Sequence, residues 1–170
     1  MKSIAFIFIC VFSVSVLRAQ QPFSVPEVTN DQEKEILYNH VIAYCATGIT
    51  FAKTKGVSPI EYGNYIGEQF KPFWNQEQGF PFFVNTIMFI LKGMHPANEM
   101  QILEQNKKMV RFKMKNVDAM FQLGPAYGIT YNEFLECSKG ILETLADYMK
   151  SEFKQEMDKN GWYVVTIKEK

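Results

Sequence analysis

The chain has 170 residues, and 18 basic residues balance 18 acidic ones, so its formal net charge is zero. A hydrophobic share of 47% with 21% charged residues is a globular composition and excludes a disordered chain. The missing basic excess argues against a nucleic-acid binder, and the length suits one domain that folds without needing a disulfide or a metal.

Residues 1–19 read as a secretory signal peptide. Lys2 supplies the positive start, Ile4 to Leu17 is an apolar run broken only by Ser13 and Ser15, and Ala19 is the small residue before the cut. A membrane span needs about 20 apolar residues, so no stable membrane anchor is expected. Gln20, not a cysteine, follows the cut, which argues against lipid attachment. The mature chain is therefore expected to be exported, to the periplasm or the extracellular space. Its two remaining cysteines, Cys45 and Cys137, read either as a disulfide or as two buried thiols.

Residues 20–30, with Pro22 and Pro26, read as a flexible leader, and 31–170 as a single α+β domain. Asn30 or Asp31 can cap a first helix running to about Lys53. Along it Leu37, Val41, Tyr44 or Cys45, and Gly48 follow the spacing of a buried stripe. Ser58-Pro59-Ile60-Glu61 is a capping box that opens a second helix carrying Tyr62, Ile66 and Phe70, with Pro72 at its end. Gly63 and Gly67 bare one face of that helix. They suit close helix packing, or close approach of a ligand.

Phe80 to Leu91 reads as a buried helix ended by Gly93, with Pro96 in the next turn. Met100, Ile102, Val110, Phe112 and Met114 then alternate with polar residues, the pattern of a hairpin with one buried face. Val117 to Leu123 suggests a short helix, and Gly124 to Gly128 a loop. Thr130 and Glu133 form a second capping box. The helix that follows carries Phe134, Ile141, Leu145, Met149, Phe153 and Met157 on one stripe, so about 28 residues, roughly 40 Å, are expected. Asn160-Gly161 stops it, and Trp162 to Ile167 is a final strand. The expected fold is α+β: a three-stranded antiparallel sheet, hairpin plus C-terminal strand, packed against several helices including the long C-terminal one.

No metalloprotease, redox-dithiol, nucleophile-elbow or phosphate-loop motif is present. His40 and Tyr44 share a helix face beside Cys45, a set suited to nucleophilic chemistry or to a haem ligand; the plainer reading is a helix histidine hydrogen-bonded near the polar boundary. Cys137 lies two turns into its helix beside Glu133 and Glu136, so an inert thiol is expected. The abundant Phe and Met residues suit either an ordinary aromatic core or an apolar pocket between helix and sheet. Its expected lining is His40, Tyr62, Ile66, Phe70, Phe112, Tyr127, Phe134 and Ile141. No catalytic residue, metal ligand or cofactor is assigned.

The element order, with Phe134 to Ile167 as a long helix leading through Asn160-Gly161-Trp162 to an edge strand, resembles the L-2-amino-thiazoline-4-carboxylic acid hydrolase-like family and the related small-molecule-binding domains of vinyl-reductase type. Those relatives carry cysteines around the sheet. Met114 to Met120 has none, so no catalytic residue is carried over. The signal peptide on a Phe- and Lys-rich chain is similar to exported proteins of Bacteroidota. The expected function is non-catalytic binding of a small apolar or amphipathic ligand. The alternatives are a hydrolase-like enzyme using His40 or Cys137, and a structural or partner-binding envelope protein using the Gly63 and Gly67 face.

Overall fold

The structure is a computed structural model that describes residues 27–95, 97–115 and 119–170. The signal peptide and most of the leader, Pro96, and the start of the expected helix at Val117 lie outside the described residues. The elements run α1 (Asn30–Thr54), α2 (Pro59–Phe70), α3 (Gly79–Gly93), β1 (Glu99–Asn106), β2 (Met109–Lys115), α4 (Tyr131–Tyr148), β3 (Ser151–Met157) and β4 (Tyr163–Glu169). None of the described helices is long and apolar enough to cross a membrane.

The α+β class is as expected, but the sheet has four antiparallel strands in the order β1-β2-β4-β3, not three. The extra strand replaces the second half of the expected long helix. α4 stops at Tyr148, Met149 caps it, and Lys150 turns the chain at φ 52°. Ser151 to Met157 then pairs along β4, with Phe153 opposite Ile167 and Met157 opposite Tyr163. Residues four apart share a face in a strand as well as in a helix, so Met149, Phe153 and Met157 satisfied both patterns.

Both capping boxes expected from the sequence form. Ser58 accepts from the Glu61 N–H, and Thr130 from the Glu133 N–H, while each glutamate accepts from the backbone N–H of its capping residue. The cap of α1 is Thr29 with Gln32, not Asn30 or Asp31. Between Leu123 and α4 the chain makes a tight loop in which Ala126 and Ile129 pair backbone to backbone.

α4 is the central element. One of its faces, with Leu135, Leu142, Leu145, Ala146 and Met149, joins Phe112, Met114, Val165 and Ile167 of the sheet and Phe83 and Ile87 of α3 in one core. Its other face, with Phe134 and Cys137, joins Ile42, Ala46 and Ile49 of α1, Phe121 and Ile129 in a second core. Three layers result: the sheet, then α3 and α4, then α1 and α2.

The contact of α2 with α4 is made by missing side chains. A Cβ on Gly63 would overlap the carbonyl oxygen of Cys137, and one on Gly67 would come within 2.7 Å of the Thr144 Cβ. From the other side, a Cβ on Gly140 would overlap the Ile60 carbonyl and lie 2.8 Å from the Asn64 nitrogen. The obstructing atoms are mostly backbone, which cannot swing aside. The Gly63 and Gly67 face is therefore a helix-packing face.

Alanine favours a helix over glycine by about 1 kcal/mol, so the sign of each Gly→Ala change reports its surroundings. Gly63→Ala should destabilise by about 1–3 kcal/mol through overpacking despite that preference. Gly93→Ala, at the open end of α3 with nothing within 4 Å, should be neutral or slightly stabilising. Urea melts of the two variants read both signs. Equal effects would remove the close-approach account.

Candidate functional site

The residues expected to line one pocket are divided by the fold. Tyr62, Ile66, Phe134 and Ile141 do meet, in the core between α4 and the outer helices. Phe112 lies on the other side of α4, fully buried in the sheet core. His40 and Phe70 are exposed on α1 and α2, and Tyr127 is exposed in the loop before α4, where its carbonyl accepts from Thr50 Oγ1 at 2.6 Å. The stripe expected to face the hairpin is split in the same way: Leu145 and Met149 face the sheet, while Phe134 and Cys137 face α1. Both faces of α4 are apolar, so the 3/4 spacing alone does not choose between them.

The expected buried stripe of α1 is turned to solvent. Leu37, Val41 and Tyr44 are 56%, 58% and 75% exposed, and Cys45 is exposed too. The buried face is Ile42, Ala46, Ile49 and Ala52. Gly48 is the exception in the expected stripe: there α2 lies so close that a Cβ would come within 2.6 Å of the Tyr62 hydroxyl.

The nucleophile candidates are placed unfavourably for attack. Cys137 is buried, and burial pushes its thiol up to about 12, the Cys45 charge adding to the effect. Burial, with the two cysteines and Tyr65 contributing, also raises the Tyr62 phenol. Both cysteines are free thiols. The His40 ring lies 6.3 Å from the Tyr44 ring, tilted, on the exposed side of α1. No group of three His, Cys, Asp or Glu side chains among the described residues is placed to hold a metal ion.

Two clefts differ in character. One, of about 600 Å³, lies over the outer face of the sheet among Glu104, Arg111, Glu156, Lys154, Thr166 and Lys168. Charged side chains of both signs line it, and Arg111 pairs with Glu156 at 3.3 Å. At the end of the same face Lys113 and Lys115 sit 4.1 and 4.5 Å from the Trp162 ring. This is a charged sheet face, with more polar than apolar side chains along the cleft.

The other cleft, of about 570 Å³, opens between the N-terminal half of α1 and the C-terminal end of α3. Leu37, Tyr38, Val41, Ile42 and Met94 make apolar walls, and Lys34, Lys92 and His95 add nitrogen groups. Local chemistry builds it. The Thr29–Gln32 box starts α1 ahead of this stretch, with Asp31 and Glu33 near its positive end. At the far wall α3 ends at Gly93, and the buried Asn98 donates from Nδ2 to the Leu91 carbonyl at 2.9 Å. Lys92 Nζ donates to the Asn98 carbonyl, and His95 Nδ1 accepts the Ala97 N–H at 3.1 Å. The His95 ring then meets Tyr38 edge-on, with centroids 4.6 Å apart. That ring pair joins α1 to the α3–β1 turn, and nothing in the local sequence of either segment announces it.

Comparison of the chain with family models, curated proteins and solved structures finds no match.

The burial of Cys137 predicts its reactivity. Iodoacetamide applied to the native protein at pH 8 should leave Cys137 unlabelled, and unfolding in urea should expose it. Peptide mapping reads the site of modification. Stoichiometric labelling of native Cys137 would contradict its placement between α4 and α1.

Proposed function

We propose that the protein is an exported, non-catalytic domain that binds a small apolar or amphipathic ligand in the cleft between α1 and α3. The observation that carries this reading is an apolar cleft of about 570 Å³ with two lysines and a histidine among its lining residues. Small-molecule sites combine concave apolar walls with a few polar groups and run to about 300–1,000 Å³. The aliphatic part of a ligand would lie along Leu37, Val41 and Met94. An anionic head would be drawn to Lys34 and Lys92; Lys34 pairs with Asp31 at 3.4 Å on the surface, and Lys92 donates to the Asn98 carbonyl. A Cys137 thiol held near 12 and an exposed His40 favour binding over covalent catalysis. The likeness to small-molecule-binding domains of vinyl-reductase type belongs to this proposal, although the long helix that partly carried it is here a helix followed by a strand.

Anilinonaphthalene sulfonate, an apolar probe with one negative charge, tests the cleft. It should bind saturably at one site and be displaced by dodecanoate. Lys34→Glu combined with Lys92→Glu should weaken it about tenfold, equivalent to about 1.4 kcal/mol. Binding that is not saturable, or that ignores the double substitution, would refute the assignment.

Export rests on residues 1–19. N-terminal sequencing of the protein recovered outside the cytoplasm should begin at Gln20. An intact Met1 in the membrane fraction would show a retained anchor instead.

A further inference from the structure

α1 carries two apolar faces; the fold covers one, and the other only at Gly48. Leu37, Val41, Tyr44, Gly48 and Phe51 are spaced four, three, four and three residues apart. That is the heptad seam of a helix that packs along another helix, narrower than the stripe of a core-facing helix. Leu37, Val41, Tyr44 and Phe51 are all more than half exposed, and at Gly48 the Tyr62 phenol fills the space. The seam runs about 21 Å along the helix at 1.5 Å per residue. An isolated helix with so short a seam would not be stable alone. α1 is already fixed as a helix by its other face, through Ile42, Ala46, Ile49 and Ala52.

From these observations we infer that α1 pairs antiparallel with α1 of a second copy of this chain, across a two-fold axis near Tyr44. Charge decides the occupant and the direction. The first turns carry Asp31, Glu33 and Glu35 against Lys34, and the far end presents Lys55, Lys53 being already paired with Glu133 at 2.5 Å. An antiparallel pair sets the acidic start of each helix beside the basic end of the other, and opposes the two helix dipoles. A parallel pair would set like charges together. An axis near Tyr44 brings Leu37 toward Phe51 of the second copy and Glu33 toward its Lys55. Among the described residues the Lys55 ammonium has no carboxylate within ion-pair distance; it lies 5.5 Å from the centre of the Phe51 ring. Leu37 and Val41 also line the α1–α3 cleft, so a ligand and a second copy would compete for them; Tyr44 and Phe51 lie outside it, and the pairing does not rest on the ligand proposal.

Sedimentation equilibrium on the native protein reads the association, and circular dichroism confirms folding of each variant. The protein should be a dimer at about 100 μM. Tyr44→Lys with Phe51→Lys should raise the dimer dissociation constant at least 100-fold with the helix signal unchanged, while probe binding in the cleft persists. Lys55→Glu should weaken the dimer about tenfold, and adding Glu33→Lys should restore it. A native protein that remains monomeric overturns the inference, as does a dimer indifferent to the Tyr44 and Phe51 substitutions. Failure of the charge swap to restore association overturns the antiparallel direction.

Discussion

The close crossing of α2 over α4 sets the positions of the other layers. Three glycines, Gly63, Gly67 and Gly140, let the two backbones touch where any side chain would collide. With α2 so near, Tyr62 reaches the bare backbone of Gly48 and so seats α1. α4 is thereby buried on two faces, one against the sheet and one against the outer helices. Close-packed interiors do not tolerate small changes in volume, so a spacing set by glycine backbones is stiffer than one set by long side chains. The cleft between α1 and α3 follows from this arrangement, because α1 stands on the outer layer while α3 belongs to the layer on the sheet.

Local chemistry was legible wherever one signal had one meaning. The Ser58–Glu61 and Thr130–Glu133 boxes start helices as expected, and Met100 to Met114 forms the hairpin, although its buried face is Val110, Phe112 and Met114 of β2 while Ile102 of β1 is 48% exposed. Gly63 and Gly67 announced a close contact, though not that Gly140 would be its counterpart. The lost information lay where two periods coincide. Phe153 and Met157 fit a helix or a strand, and the turn between them and α4 is made by Lys150 at φ 52°, a conformation that lysine rarely adopts and that no sequence pattern marks. The Ser151-Glu152-Phe153-Lys154 alternation was the available sign of β3.

The site was less legible than the fold for a related reason. α1 has apolar residues on two faces, and the larger ones face solvent, so a search for the most hydrophobic stripe finds the wrong side. Size was a poor guide because the buried side needed to be thin: Ala46 and Ala52 allow the close approach that Leu37 and Tyr44 would prevent. The same ambiguity sent Phe112 and Phe134 to opposite sides of α4. The Tyr38–His95 contact joins residues far apart in the chain, and a ring pair of this kind emerges only once α1 and the end of α3 are in place. An apolar surface left over on a helix that is otherwise well seated is the feature from which both the ligand cleft and the pairing surface are built.

Native-state hydrogen exchange followed residue by residue tests the central claim, that α2 and α4 are locked into one unit by their glycine contact. Cooperative units reveal themselves by sharing one opening free energy. The amides of α2 from Tyr62 to Phe70 should exchange at the same free energy as those of α4, and that value should equal the free energy of global unfolding. An α2 that opens on its own at a lower free energy, while α4 stays protected against the sheet, would contradict the account.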